Sequence, residues 1–374
     1  MIRVKVTTTF PEWPFIRQTP GSLGTWQDCD FIINRHVDEC DFWVVYDGLL
    51  APETSRCAGE RIIFMAGEPP DVKRYRNEFL QQFGIIITSD QDVDHHCVLH
   101  HQQAQPWHLG INRETGLISK TYDELRNITE FPKTKLLSVV CSSKAISEGH
   151  RRRLGFLEAL KVHFGSEMDM YGRGFDEIAD KWDAIFPYKY HIAIENSRVP
   201  DYFTEKLTDT YLGGAYPLYC GCPNLQNYFP PDSFTEFDVS TPKKALKIIG
   251  EAVSGNTYER AQDQIRVARE LVLDTHNFFA MIARLVREYN PVSEQPFRKT
   301  ASTARNRLAG GLEGKMVSPS ILTGCRAASS PVSHVVSDTR EIELLPEIAF
   351  VPPASFLDRA LSRLKAWRAR FVAS

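Results

Sequence analysis

Two sets of short apolar segments, each alternating with amphipathic ones, predict an α/β chain built on two largely parallel sheets. The polar, histidine-rich and poorly periodic stretch 90–132 separates the sets and reads as long surface loops. A length of 374 residues fits two domains and an appendage, at roughly 150 residues per domain.

In the first set, assigned to 1–131, Ile2 to Thr8, Phe42 to Tyr46, Ile62 to Met65 and Ile85 to Thr88 are rich in β-branched and aromatic residues, as buried strands are. Val72 to Phe83 has helical spacing. The second set, 132–290, opens with a strand over Lys135 to Ser143 and a helix over Ser147 to Phe164, whose Leu154, Leu157, Leu160 and Phe164 share a face. Further strands are expected at Met168 to Tyr171, Tyr190 to Ile194 and Pro217 to Tyr219. Helices are expected near Asp176 to Ala184, Thr204 to Leu212 and Pro242 to Ser254, with a longer one from Thr257 to Tyr289. Clusters of Pro, Ser, Gly and Arg mark 291–355 as a linker or loosely packed extension. The last segment, 356–374, reads as a basic amphipathic helix. Phe356, Leu361, Leu364, Trp367 and Phe371 lie along one stripe and five basic side chains lie off it, a pattern that suits either peripheral membrane contact through 356–371 or packing on the protein's own core or a partner subunit.

With 44 basic and 47 acidic side chains the net charge is -3, which gives no global field for nucleic acid, and no nucleic-acid partner is expected. The eight cysteines show no CxxC spacing and read as reduced thiols. The opening residues carry no apolar leader, and no run of about 18 apolar residues occurs, so a cytoplasmic location is expected. The pairs Asp28/Asp30 and Asp92/Asp94 have the DxD form that can hold a divalent metal, but neither follows a convincing strand. They read as turn residues, and no metal is expected. His95, His96, His100 and His101 read as a polar loop. No GxSxG elbow places a nucleophilic serine, and Tyr171-Gly-Arg-Gly174 lacks a nucleotide-loop spacing, which leaves Arg173 as an auxiliary contact.

The densest chemistry lies in Tyr188 to Leu207, where a strand runs into a polar loop and then a helix, the kind of junction at which α/β sheets bind ligands. Helix initiation near Thr204 exposes backbone N–H groups, and Lys206 adds a cation where the helix dipole disfavours one. That placement points to an anionic partner such as a diphosphate. The run Glu195-Asn-Ser, then Asp201-Tyr-Phe-Thr-Glu-Lys-Leu207, then Gly214-Ala-Tyr-Pro217, Gly221 and Tyr228 to Phe234, resembles the fucosyltransferases of glycosyltransferase family 10.

The resemblance implies a GT-B fold, two Rossmann-like domains facing each other, with the acceptor on the first and GDP-fucose on the second. It implies transfer of L-fucose from GDP-β-L-fucose to an oligosaccharide or lipid-linked glycan acceptor, with inversion and α1,3 or α1,4 linkage. Lys206 and Arg153 match the family's phosphate-binding pair, Glu205 its carboxylate near the ribose, and Tyr202 and Asn196 its other donor contacts, with Glu195 a nearby support. Charge chemistry agrees: fixed cations can stabilise departing GDP with no cofactor required. The base is assigned to Glu68, in Gly67-Glu-Pro-Pro70 just after a strand, at the sheet's ligand-facing end. No residue specifies guanine or fucose on physical grounds. A GT-B enzyme with another nucleotide sugar, or a catalytically silent glycan-binding protein, therefore stays open.

Overall fold

The computed structural model describes residues 1–143, 148–289 and 340–347, so the expected helix at 356–374 and most of the 291–355 extension lie outside the described residues. Eight strands form from the first set: β1 (Ile2–Thr8), β2 (Thr25–Trp26), β3 (Cys29–Ile33), β4 (Phe42–Tyr46), β5 (Glu53–Cys57), β6 (Ile62–Met65), β7 (Ile85–Thr88) and β8 (Val98–His100). Seven of them make one sheet in the order β2-β3-β1-β4-β6-β7-β8, parallel apart from the antiparallel β2–β3 pair. In the second set β9 (Lys135–Val140), β10 (Met168–Tyr171), β11 (Tyr188–Ile194), β12 (Tyr216–Cys220) and β13 (Thr235–Glu236) make an all-parallel sheet in the order β10-β9-β11-β12-β13. Two parallel α/β units of this kind are the architecture expected of a GT-B chain.

Alternation along the strands divides each unit into two cores. Val4, Val6, Phe42, Val44, Ile63 and Met65 face one way, while Trp43, Val45, Ile62, Phe64 and Ile86 face the other. In the second unit Leu137, Val139, Ile192 and Leu218 pack under Phe156, Leu157 and Leu160. Those three lie on α3 (Glu148–Phe164), which follows α1 (Asn77–Leu80) and α2 (Tyr122–Arg126) along the chain. The opposite face receives Leu207, Tyr211 and Leu212. They belong to α5 (Glu205–Leu212), which comes after α4 (Lys181–Ile185) and before α6 (Pro242–Ser254).

Five expectations change, the first being the helix expected near Asp176 to Ala184, which begins only at Lys181 because Asp180 is extended and caps it. The helix expected over Val72 to Phe83 shrinks to the single turn α1, because the Lys73 and Tyr75 side chains reach back to Asp47 and Arg76 is extended. The long helix from Thr257 to Tyr289 divides into α7 (Thr257–Arg260), α8 (Gln262–Asp274) and α9 (Phe278–Tyr289). Asn277 makes the second break: its side-chain oxygen accepts the Phe279 N–H at 3.0 Å, and its amide donates to the Gln18 carbonyl at 2.7 Å. The 291–355 extension is not loose where it is described, since β14 (Arg340–Leu344) pairs antiparallel with β5 and buries Leu344 against Trp43 and Phe64. Of the described cysteines, Cys29, Cys40, Cys57, Cys141, Cys220 and Cys222 are free. Cys97 is disulfide-bonded, unlike the expected reduced thiols.

Packing also crosses the expected boundary at residue 131. Phe278, Phe279, Met281 and Ile282 of α9 fill the first sheet's core, whereas Trp107, Leu109 and Leu125 belong to the core of the second unit. The apolar faces of these segments match the opposite unit, so the exchange buries them. Among the described residues no helix is long and apolar enough to cross a membrane.

The exchange makes α9 structural for the first unit. Phe279 is fully buried with its ring edge-on to Phe31 at 4.9 Å, so Phe279→Ala is expected to cost about 3–5 kcal/mol in urea unfolding. A loss below about 1 kcal/mol would contradict this packing. Two buried imidazoles set a pH dependence: burial lowers His191, bonded to Ser138, and His276, bonded to the Tyr228 carbonyl, from 6.5 to about 3. Both stay neutral in the fold but take up protons when unfolded below their ordinary value. Their stabilising contribution is therefore complete near neutrality and falls as pH drops from 6.5 towards 3. Urea midpoints are expected to decline across that window, with a slope approaching about 3 kcal/mol per pH unit for the pair.

Candidate functional site

Each sheet reverses its strand order once, between β1 and β4 in the first and between β9 and β11 in the second. The carboxyl ends of strands at such a reversal diverge and leave a crevice, the usual ligand position in open α/β sheets. At the second reversal Val139 to Ser142, Ile194 and Asn196 open onto a cleft of about 440 Å³. Its lining brings together Arg153, Arg173, Asn196, Glu205 and Lys206, residues expected from the sequence, and adds Arg113 and Lys181. Five cationic side chains thus meet one carboxylate in the lining.

The α5 terminus is built by Glu195. Its carboxylate accepts the Thr204 N–H and the Thr204 hydroxyl, both at 2.8 Å, and the Lys206 ammonium at 3.3 Å. The Thr204 hydroxyl oxygen caps α5 by accepting the Lys206 N–H at 3.3 Å and also receives the Lys206 ammonium at 3.0 Å. Gly221 allows this packing, because a Cβ there would lie 2.5 Å from Glu195 Cγ.

Around Glu205 the charges interlock. Lys181 Nζ stands 3.2 Å from its carboxylate and 3.0 Å from that of Asp209, Lys206 Nζ is 3.7 Å away, and His108 Nδ1 is 3.5 Å away. Burial opposes the Glu205 charge, but Lys206 and Lys181 outweigh it and hold the group well below the usual carboxylate range. Burial likewise opposes the Lys206 charge, and the Glu205 and Glu195 carboxylates hold that ammonium above its ordinary value. His108 is pushed by burial to about 3 against the pull of Glu205, so the imidazole is neutral.

Arg153 reaches the cleft from α3. One terminal nitrogen is 3.4 Å from Asn196 Oδ1 and the other 3.5 Å from the Ser142 carbonyl, while its Nε is buried without an acceptor among the described residues. An unpaired guanidinium donor is suited to an incoming oxyanion. The Tyr171-Gly-Arg-Gly174 loop is pressed onto this floor: a Cβ on Gly172 would stand 2.1 Å from the Cys141 carbonyl oxygen, and one on Gly174 2.0 Å from Ser143 Oγ. Both glycines have positive φ, and the turn carries Arg173 to the cleft lining.

Glu68 and Tyr202 are placed differently. Tyr202 is buried and stands outside the lining of this cleft, in the field of Glu195, Glu68 and Glu205. Glu68 follows β6 on the first unit, within the field of both Lys206 and Glu205 and outside the lining of this cleft. Burial and then the neighbouring Asp47 charge raise it above the ordinary carboxylate value. Of the DxD carboxylates, Asp28 pairs with Arg287 at 3.0 Å and Asp92 with Arg74 at 3.1 Å. His95 donates from Nε2 to the Phe83 carbonyl at 2.9 Å and accepts the Cys97 N–H on Nδ1 at 3.2 Å.

Sequence reasoning missed Lys181 and Arg113. Lys181 opens α4 directly after its cap Asp180, the same unfavourable dipole position that singled out Lys206, and could have been found that way. Arg113 arrives on an irregular loop, held by its N–H to the Ala179 carbonyl, and has no local signature.

Residues 131–256 match the family model "Glycosyltransferase family 10 (fucosyltransferase) C-term". The chain is 27% identical over 210 residues to a 3-galactosyl-N-acetylglucosaminide 4-alpha-L-fucosyltransferase of Pan troglodytes, covering 54% of this chain and 50% of that one. It is also 27% identical over 266 residues to a 4-galactosyl-N-acetylglucosaminide 3-alpha-L-fucosyltransferase of the same organism, covering 64% and 67%. The chain thus spans about half the length of the first relative. A solved structure of an alpha1,3-fucosyltransferase aligns at 17% identity with a TM-score of 0.42, over 74% of this chain and 91% of that one. All of the cleft lining except Arg113 falls inside the matched residues, so the cleft lies in the part of the chain that is similar to the C-terminal domain of glycosyltransferase family 10, the fucosyltransferase family.

Proposed function

We propose that this chain is an inverting fucosyltransferase that moves L-fucose from GDP-β-L-fucose to a glycan hydroxyl, giving an α1,3 or α1,4 linkage. The observation that carries the reading is the five-cation cleft at the second sheet's order reversal, beside the α5 amino terminus. The names of the relatives supply the donor sugar and the linkages.

Breaking the bond between fucose C1 and the β-phosphate leaves negative charge on GDP and positive charge on the sugar ring. Lys206, Arg153 and the positive end of the α5 dipole stabilise the departing diphosphate, and they are already oriented before reaction. The acceptor oxygen attacks C1 on the face opposite the leaving phosphate, which inverts the configuration. Its proton passes to the Glu68 carboxylate, which stands on the other unit from the cations. A raised Glu68 favours that transfer, since a more basic carboxylate holds the proton better.

Lys206→Ala is expected to lower kcat roughly 10²–10³-fold and to weaken GDP binding in calorimetry. Glu68→Gln is expected to lower kcat roughly 10²–10⁴-fold while GDP affinity stays at the wild-type value. Wild-type turnover by Glu68→Gln would refute the base assignment. A folded wild type with no guanosine nucleotide affinity would refute the donor assignment. A donor panel separates GDP-fucose from other nucleotide sugars, and glycan binding without transfer from any of them would identify a silent binding protein.

The activity of the folded enzyme is expected to fall at acid pH with an apparent pKa above the ordinary carboxylate value of 4.5, because Glu68 must be deprotonated to act. Lys181→Ala is expected to weaken GDP binding about tenfold through loss of one charge-assisted contact worth about 1.5 kcal/mol. Unchanged affinity would make Lys181 a counter-ion of Glu205 and Asp209 alone.

A further inference from the structure

The crevice at the order reversal of the first sheet holds an arrangement that the proposed reaction has not yet used. Asp47 follows β4 directly and has φ of 64°, a left-handed conformation uncommon outside glycine. Its nearly buried carboxylate collects three donors from two segments: the Thr9 hydroxyl at 3.1 Å, the Lys73 ammonium at 3.2 Å and the Tyr75 hydroxyl at 2.5 Å. Lys73 also donates to the Asp47 carbonyl at 2.9 Å. The backbone turn is thereby tied to the loop that follows Glu68.

From Asp47 the contacts lead to the peptide before Glu68. The Tyr75 hydroxyl oxygen accepts the Gly67 N–H at 3.3 Å, and the Gly67 carbonyl accepts from the Gln105 side-chain amide. Gln105 is itself held by the Tyr46 hydroxyl at 2.8 Å. Gly67 also lies flat against Asp47, where a Cβ would come within 2.8 Å of Asp47 Cβ and Oδ1. Both polar groups of Gly67 and its open face are therefore fixed, which leaves Glu68 little backbone freedom.

We infer that Asp47, acting through Tyr75 and Gly67, is a positioning residue that sets where the Glu68 carboxylate stands, an inference that rests on the proposed role of Glu68 as base. The charges that act on Glu68 are Asp47 and Glu205, both negative, and Lys206 and Lys73, both positive, and Glu68 in turn acts on the Tyr46 and Tyr202 hydroxyls. Asp47 thus acts on Glu68 twice, by geometry through Tyr75 and by like charge directly. A neighbouring negative charge makes a carboxylate more basic.

The test is steady-state fucosyl transfer with the full chain and two variants. Tyr75→Phe removes a single oxygen, and with it the link between Asp47 and Gly67. It is expected to lower kcat about tenfold through misplacement of the base, with donor KM and GDP affinity within about twofold of wild type. Asp47→Asn is expected to move the acid limb of the kcat/KM profile down by roughly half a pH unit or more, a shift that a merely structural role would not cause. Wild-type kcat in Tyr75→Phe overturns the inference, as does an Asp47→Asn profile that superimposes on wild type. Should Asp47→Asn fail to fold, Tyr75→Phe decides alone. If wild type transfers no sugar from any donor, the proposed function fails instead. A ¹³C-carboxyl NMR titration of Glu68, assigned with Glu68→Gln, then tests the inference: a lower Glu68 pKa in Asp47→Asn supports it and an unchanged one overturns it.

Discussion

Lys181 and Lys206 stand 3.2 and 3.7 Å from the same Glu205 carboxylate, and this shared counter-ion is what allows a cationic cleft to exist inside a folded unit. Like charges brought together in a partly buried site repel, and each also loses solvation. One carboxylate between two ammonium groups offsets both costs, while Glu195 and Asp209 take up further Lys206 and Lys181 contacts from behind. Arg153 is treated differently, because its Nε keeps no acceptor among the described residues. The cleft therefore combines neutralised lysines, which keep the wall stable, with an arginine that has no carboxylate partner and keeps one donor unpaired among the described residues.

The same logic explains the sequence of the Glu195 to Leu207 run. Thr204 is a helix cap whose hydroxyl is shared between Glu195 and Lys206, so Glu195, Thr204 and Lys206 form one hydrogen-bonded unit. Gly221 leaves room for the Glu195 stem, and no larger residue fits that approach. What reads as a linear motif is a packing solution in which each residue is constrained by the next.

Legibility in the sequence followed the range of the interaction involved. The central parallel strands were readable because burial on both faces demands continuous apolar runs, as in Phe42 to Tyr46 and Ile62 to Met65. Lys206 was readable because a lysine in a first helical turn contradicts the dipole. Other features depend on partners remote in the chain. The short Thr25–Trp26 strand and the Arg340–Leu344 strand exist only because β3 and β5 offer edges to them. The division of the final helical stretch is set by Asn277 reaching Gln18, a contact across 259 positions that no local pattern encodes. Arg113 enters the cleft for a similar reason, since the Ala179 carbonyl rather than any helix or strand holds its loop.

The exchanged segments bear on how the two crevices are kept in register. On the proposed reading the base stands on the first unit and the phosphate-binding groups on the second, so a rigid hinge alone would leave their separation to chance. Instead α9 from the end of the second set fills the first sheet's core, while Trp107, Leu109 and Leu125 from the first set fill a core of the second. Arg17 of the first set adds a buried guanidinium that donates to the Lys120 carbonyl at 2.6 Å and to the Trp107 carbonyl. Because each unit completes its core with chain from the other set, moving them apart would expose apolar surface on both. The relative position of Glu68 and Lys206 is thus tied to hydrophobic burial, which is stronger and less directional than any hydrogen bond between the two sites.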